Sequence, residues 1–340
     1  MERRGYDGYR GRTRAQTVVR AVACVVVLLL VLVIVGLLLG QRYIVYTDDG
    51  IRLEVPFLQR ETATSADVGD VSVQIIHRPN TAPGPSAAVE PYNMRAVSVT
   101  MEELEATGIP AVRAMGANTV IVDMKNPDGT LGYADAARDR VSACLEQLHR
   151  ADIRAVARIS CFRDDTLGRQ DDYALRTNSG YRWNYDDVGL YWINPGLEPV
   201  RQYVADVVAT AAQLGFDEVL LENWGYPAQG EVGWIRREEG YDPERLHEAV
   251  DRFVSLAQQA VTGTETVVSL LVDASVLDAS DTLSGRTLDC LEGHDGRVWL
   301  QNGQGTTLED LVSRTLLKPE QVVWPAQAYT EGNRHQYLVP

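Results

Sequence analysis

The chain has 340 residues, 45% of them hydrophobic, enough to bury one large core or two modest ones. Its 47 acidic residues against 32 Lys and Arg leave a net charge of -15, which repels phosphate backbones and argues against a nucleic-acid partner. Five scattered histidines without H-E-x-x-H spacing give no reason to expect a metal or other cofactor, and four cysteines without close spacing suggest no disulfide framework.

Residues 1–20 carry six arginines against Glu2 and Asp7 and read as a basic tail. From Ala21 to Leu39 the chain is uncharged and nearly all Val, Leu, Ile and Ala, long enough as a helix to cross the roughly 30 Å hydrocarbon core of a bilayer. The apolar stretch is too long for a signal peptide and no small-residue cleavage site follows, so residues 21–40 are expected to form an uncleaved anchor. Arginines before the span and Asp48 and Asp49 after it place the tail in the cytoplasm and everything beyond Gln41 outside, as a single-pass protein of the cell membrane. Residues 41–91 then show two β-rich runs around Asp48-Asp49-Gly50, a hairpin signal, followed by a Thr, Ser, Ala, Gly and Pro-rich linker.

Residues 92–340 leave about 250 residues, the usual length of a (β/α)8 barrel. Met94–Val99 is a short strand, and Thr100 with Glu103 has capping-box spacing for a helix ending at Met115-Gly116. The strand Asn118–Lys125, a helix with Val141, Cys144, Leu145 and Leu148 on one face, and the strand Ile153–Cys161 follow. A polar and aromatic excursion from Phe162 to Trp192 precedes a helix whose stripe runs from Val200 to Leu214. Gly215 then marks the helix end, Val219–Leu221 is an apolar run too short for a helix, and Pro227 stops the strand that ends at Glu222. Further on come a helix after Asp242-Pro243, a strand at Thr266–Val272, and strands at Arg297–Leu300 and Gln321–Trp324 flanking a helix at Leu308–Leu311. Residues 275–296 show no clear pattern, and an eighth strand is not visible. The expected class is α/β, a TIM-type (β/α)8 barrel whose closure after residue 275 the sequence leaves open, complete or incomplete at its C-terminal end.

The strand ends Asn118–Lys125, Ala157–Asp164, Trp192–Pro195 and Gly215–Val219 together resemble a bacterial family of glycoside hydrolase-like domains, long filed as of unknown function and thought to be (β/α)8 barrels. The match in order and spacing runs roughly from Met94 to Pro227 and implies a carbohydrate-active barrel. Where that family closes its fourth strand with D-Y-x-R-F-P, this chain has Glu222-Asn223-Trp224-Gly225-Tyr226-Pro227, with a longer acid and no arginine.

Glycoside hydrolysis uses two carboxyl groups, one protonating the leaving oxygen and one acting as nucleophile or base. At C-terminal strand ends the candidates are Glu222, Asp123 and Asp273, with an ion pair to Lys125 or Arg158 as the structural alternative for Asp123. Asp217 and Glu218 begin their strand, on the stability face, and are set aside. Lys125, Arg158, Asn194 and Asn223 are the polar candidates for substrate binding. Trp183, Trp192, Trp224 and Tyr226, in a chain with only 7% aromatics, are the candidates for stacking on sugar rings, unless they merely stiffen the long loops. Two functions follow: a membrane-anchored extracytoplasmic glycoside hydrolase acting on cell-wall or extracellular polysaccharide, or an inactive barrel serving as a glycan-binding or protein-binding scaffold at the cell envelope.

Overall fold

From residue 93 onward the alternation of apolar runs and amphipathic helices closes into a ring of eight parallel strands. The computed structural model describes residues 44–47, 50–53, 93–133, 137–186, 188–238, 240–273, 276, 283–301, 307–330 and 335–339. The basic tail, the span expected at 21–40 and the linker lie outside these residues; among the described residues no helix is long and apolar enough to cross a membrane. The chain divides into two units, residues 1–78 and 79–340. In the first, β1 (Ile44–Thr47) and β2 (Gly50–Leu53) pair antiparallel, Ile44 opposite Leu53 and Thr47 opposite Gly50, the pairing that the β-rich runs around Asp48-Asp49-Gly50 predict.

The second unit runs β3 (Arg95–Ser98), α1 (Met101–Ala114), β4 (Thr119–Lys125), α2 (Arg138–Arg150), β5 (Arg154–Ser160), α3 (Glu198–Leu214), β6 (Glu218–Glu222), α4 (Leu246–Ala260), β7 (Val267–Val272), α5 (Leu288–Glu292), β8 (Val298–Leu300), α6 (Leu308–Arg314), β9 (Val322–Ala326) and β10 (Gln336–Leu338). Strand β10 lies between β9 and β3, so the barrel is complete. It is the strand that sequence reading missed: three residues are too few to show a period. Thr100 caps α1 through the reciprocal bonds with Glu103 expected of it, although Gly108, at φ 66°, and Pro110 break that helix midway. Gly215 ends α3 in the left-handed region at φ 105°, and α4 buries Leu246, Val250, Phe253, Val254 and Ala257 as its spacing predicts.

Inside the ring, inward-facing residues in or next to seven strands form one apolar layer of packing rather than a single plane: Met94, Ala96, Ile121, Val156, Leu220, Leu271, Trp299 and Val323. Below it, at the N-terminal end of the strands, the buried Glu218 accepts from Arg297 Nη1 at 2.6 Å and Trp299 Nε1 at 2.8 Å. This ion pair holds the barrel floor, in keeping with its place on the stability face. The residues one pleat above the apolar layer face the opposite, C-terminal mouth.

Candidate active site

Period-two alternation carries Ile121 to Asp123, Val156 to Arg158 and Leu220 to Glu222, so the layer above the apolar one is charged. Strand pairing sets Asp123 opposite Arg158 and Ser160 opposite Glu222. Arg158 forks onto Asp123, with Nη2 to Oδ2 at 2.9 Å, and its Nε lies 3.9 Å from Glu222 Oε2. Burial raises the proton affinity of Glu222, whose side chain is only 26% exposed; the charge of Asp123 adds to this, and Arg158 and Arg163 oppose it. The fork from Asp123 in turn raises the pKa of Arg158. Two carboxyls therefore stand beside one guanidinium in unlike environments: Asp123 is bound in a bidentate ion pair, and Glu222 is desolvated with its proton favoured. Asp273 follows directly on β7, two residues beyond Leu271, which extends the same alternation to the next strand. Asn223 sits beside Glu222 with φ 51°, a region asparagine tolerates, and its Nδ2 donates to Ser160 Oγ at 3.1 Å.

Two neighbours at this mouth come from places that sequence reading did not mark. Tyr337, on β10, shares the inner cluster and donates to the Leu300 carbonyl at 2.8 Å, while its hydroxyl is pushed up to about 12 by burial and feels both Arg158 and Glu222. Arg163, in the loop after β5, is fixed by Asp186, with Nε to Oδ2 at 2.9 Å, and projects its charge toward Glu222.

Lys125, expected to bind substrate, lies elsewhere. Strict alternation would put it on the face of Asp123, but a bulge shifts the register so that Lys125 pairs with Ile159 rather than Ser160. Its side chain turns out of the barrel and is fully buried, with Nζ 2.9 Å from Asp164 and 2.8 Å from the Ser160 carbonyl. The aromatic candidates are corrected in the same way, because each ring is taken up by packing. Trp183 and Trp224 are wholly buried and donate to the carbonyls of Glu231 and Leu271. Trp192 donates to Asp186 under the Arg163 guanidinium, and Tyr226 donates to the Gly240 carbonyl and meets Tyr241 edge-on. Asn194 is buried too, its Oδ1 capping the turn at Gly196. None of these five presents a ring face or free amide to a ligand. At Gly225, where the resembled family has arginine, a Cβ would meet the Ser284 carbonyl at 2.5 Å, so this backbone has closed over the space a longer residue needs. Among the described residues no group of three His, Cys, Asp or Glu side chains is placed to hold a metal.

Residues 93–286, more than half of the chain, match the family described as "Putative glycosyl hydrolase domain". The chain belongs to this family. The match spans the strands that carry Asp123, Arg158, Glu222 and Asp273 and stops before β8 to β10, so Tyr337 lies outside it. No curated protein matches this member. Similar solved structures include the glycoside hydrolase domain of PgaB (BpsB) from Bordetella bronchiseptica, 14% identical over 73% of this chain and 94% of that one, with a TM-score of 0.49. Others are Ega3 from Aspergillus fumigatus in complex with galactosamine, 15% identical over 73% and 81% with a TM-score of 0.42, and a hypothetical protein from Ruminiclostridium thermocellum, 21% identical over 51% and 96% with a TM-score of 0.43.

Proposed function

We propose that this family member is a glycoside hydrolase in which Glu222 is the general acid and Asp123 the partner carboxylate, acting on cell-wall or extracellular polysaccharide from a membrane anchor. The observation that carries the reading is the unlike pair at the barrel mouth. Burial raises the proton affinity of Glu222, which suits it to protonate a glycosidic oxygen, while the bidentate contact from Arg158 fixes the orientation of the Asp123 carboxyl, as a nucleophile or a base toward water requires. Asp273, on the neighbouring strand, is the second candidate for the partner role. Arg158 grips Asp123 and stands 3.9 Å from Glu222, with the half-buried Asn223 beside them. Anchoring rests on the uncharged stretch 21–39 and its arginine-rich flank.

Two observations favour the alternative of a glycan-binding scaffold: both oxygens of Asp123 are already engaged by Arg158, and the E-N-W-G-Y-P sequence departs from the arginine-bearing strand end of the resembled family. Incubating the purified full chain with a panel of polysaccharides and assaying new reducing ends separates the two. Release of reducing ends from any polymer supports the hydrolase; retention of a polymer without release supports the scaffold.

A further inference from the structure

Unlike the buried Trp183, Trp192 and Trp224, two further aromatic side chains of the same loops are exposed, Tyr185 at 40% and Trp234 at 50%. They stand edge to face, ring centroids 5.0 Å apart and planes inclined at 72°. Tyr185 belongs to the excursion after β5 and Trp234 to the loop after β6, so both rise from C-terminal strand ends, the side that carries Glu222.

Their base is rigid. Glu231 N donates to the Tyr185 carbonyl at 3.0 Å, Trp183 Nε1 donates to the Glu231 carbonyl at 3.0 Å, and Asn178 N donates to the Trp234 carbonyl at 2.8 Å. Gly230, at φ 79°, lies so close to Tyr185 that a Cβ there would strike its carbonyl. The two loops are thus stitched together by backbone bonds and by a buried indole, and the exposed rings are held in place without contributing to that stitching. The residue after Tyr185 is Asp186, which binds Arg163 and through it adjoins the charges around Glu222.

We propose that Tyr185 and Trp234 form a stacking subsite for a pyranose ring of a glycan chain, away from the bond to be cleaved; the glycan is the substrate class of the Proposed function, on which this inference rests. A pyranose has an apolar face that covers an aromatic ring and a hydroxylated edge that stays wet, and the inclined pair offers one ring to the face and the other to the flank. The low cost of ordering two preset rings favours binding, since little rotamer freedom is left to lose. The continuity with the carboxylate mouth through Asp186 and Arg163 points to the sugar polymer on which those carboxyls would act.

The test is affinity electrophoresis of the purified full chain through gels containing glycol chitosan, laminarin, dextran or arabinogalactan, with reducing-end release measured on the same polymers. Wild type, Glu222→Gln, Tyr185→Ala, Trp234→Ala and Trp234→Phe are compared. Retardation by at least one polymer is expected for wild type and Glu222→Gln, weakened about tenfold in each alanine variant and restored by phenylalanine, the size of one lost stacking contact. The alanine variants keep the backbone bonds named above, so their fold should persist and circular dichroism checks it. Retardation equal to wild type in both alanine variants overturns the subsite, and sugar release in that case leaves the hydrolase standing. Loss of retardation in the alanine variants with no sugar released by wild type upholds the subsite and sinks the hydrolase. Wild type unretarded by every polymer overturns the subsite, as does self-association that Trp234→Ala abolishes while glycan binding stays intact.

Discussion

Burial and the charge of Asp123 favour the proton on Glu222, and Arg158 and Arg163 only partly offset them. A carboxyl raised above its ordinary value contributes stability that is complete below the ordinary glutamate range and is lost as pH rises through the raised value. Glu222→Gln removes that loss, so the variant is expected to melt above wild type at neutral pH, with the gap closing as pH falls below about 4. Thermal unfolding of both proteins across pH checks this, and a wild type that melts higher at neutral pH would refute it. The same property predicts that hydrolysis fails on the alkaline side, as Glu222 loses the proton it must donate. Lys125 tests the other buried ion pair. Lys125→Met strands Asp164 without its counter-charge and should cost about 3–5 kcal/mol, while adding Asp164→Leu should recover a large part of it, since an apolar pair can replace an ionic one. Denaturant midpoints of the three proteins measure both changes. A Lys125→Met protein as stable as wild type would mean that the pair contributes little.

At the scale of the elements, β10 decides whether the barrel is closed, for it alone joins β9 to β3. A chain truncated before Gln336 would leave two unpaired strand edges and uncover Trp299, whose ring packs 5.3 Å from Tyr337. Calorimetry and light scattering on the truncated chain should show a lost cooperative transition and aggregation; an unchanged transition would mean that the other seven strands hold alone. Strands and helices were legible where a local rule operates. Gly215, the apolar run Val219–Leu221 and Pro227 frame β6, and its last residue, Glu222, is at the mouth because a parallel strand delivers its C-terminal residue there. Several of the misses come from contacts distant in sequence, whereas Trp192 and Asn194 are taken up by loop partners only six and two residues away. The bulge that turns Lys125 outward depends on register with β5, and Trp183 and Trp224 are buried by carbonyls 48 and 47 residues away. Three-residue β10 shows no periodicity, and its membership in the sheet comes only from its neighbours on either side.

For the molecule as a whole, the proposed anchor and the barrel imply a protein whose acidic part works outside the membrane. Protease added to intact protoplasts is expected to digest the part beyond residue 41, while the tail at residues 1–20 remains protected until lysis. Protection of the barrel in intact cells would remove the extracellular substrate from the proposal. The central claim is narrower: a family member with a desolvated glutamate beside an arginine-held aspartate cleaves glycosidic bonds. Its most direct measurement sets wild type and Glu222→Gln side by side on the polymer that wild type binds, recording reducing ends released and affinity for that polymer. Glutamine keeps the shape of glutamate but transfers no proton, so turnover should fall roughly 10²-fold to 10⁴-fold with affinity nearly unchanged. Equal turnover in the two proteins, or binding by both with no sugar released by either, would contradict the claim.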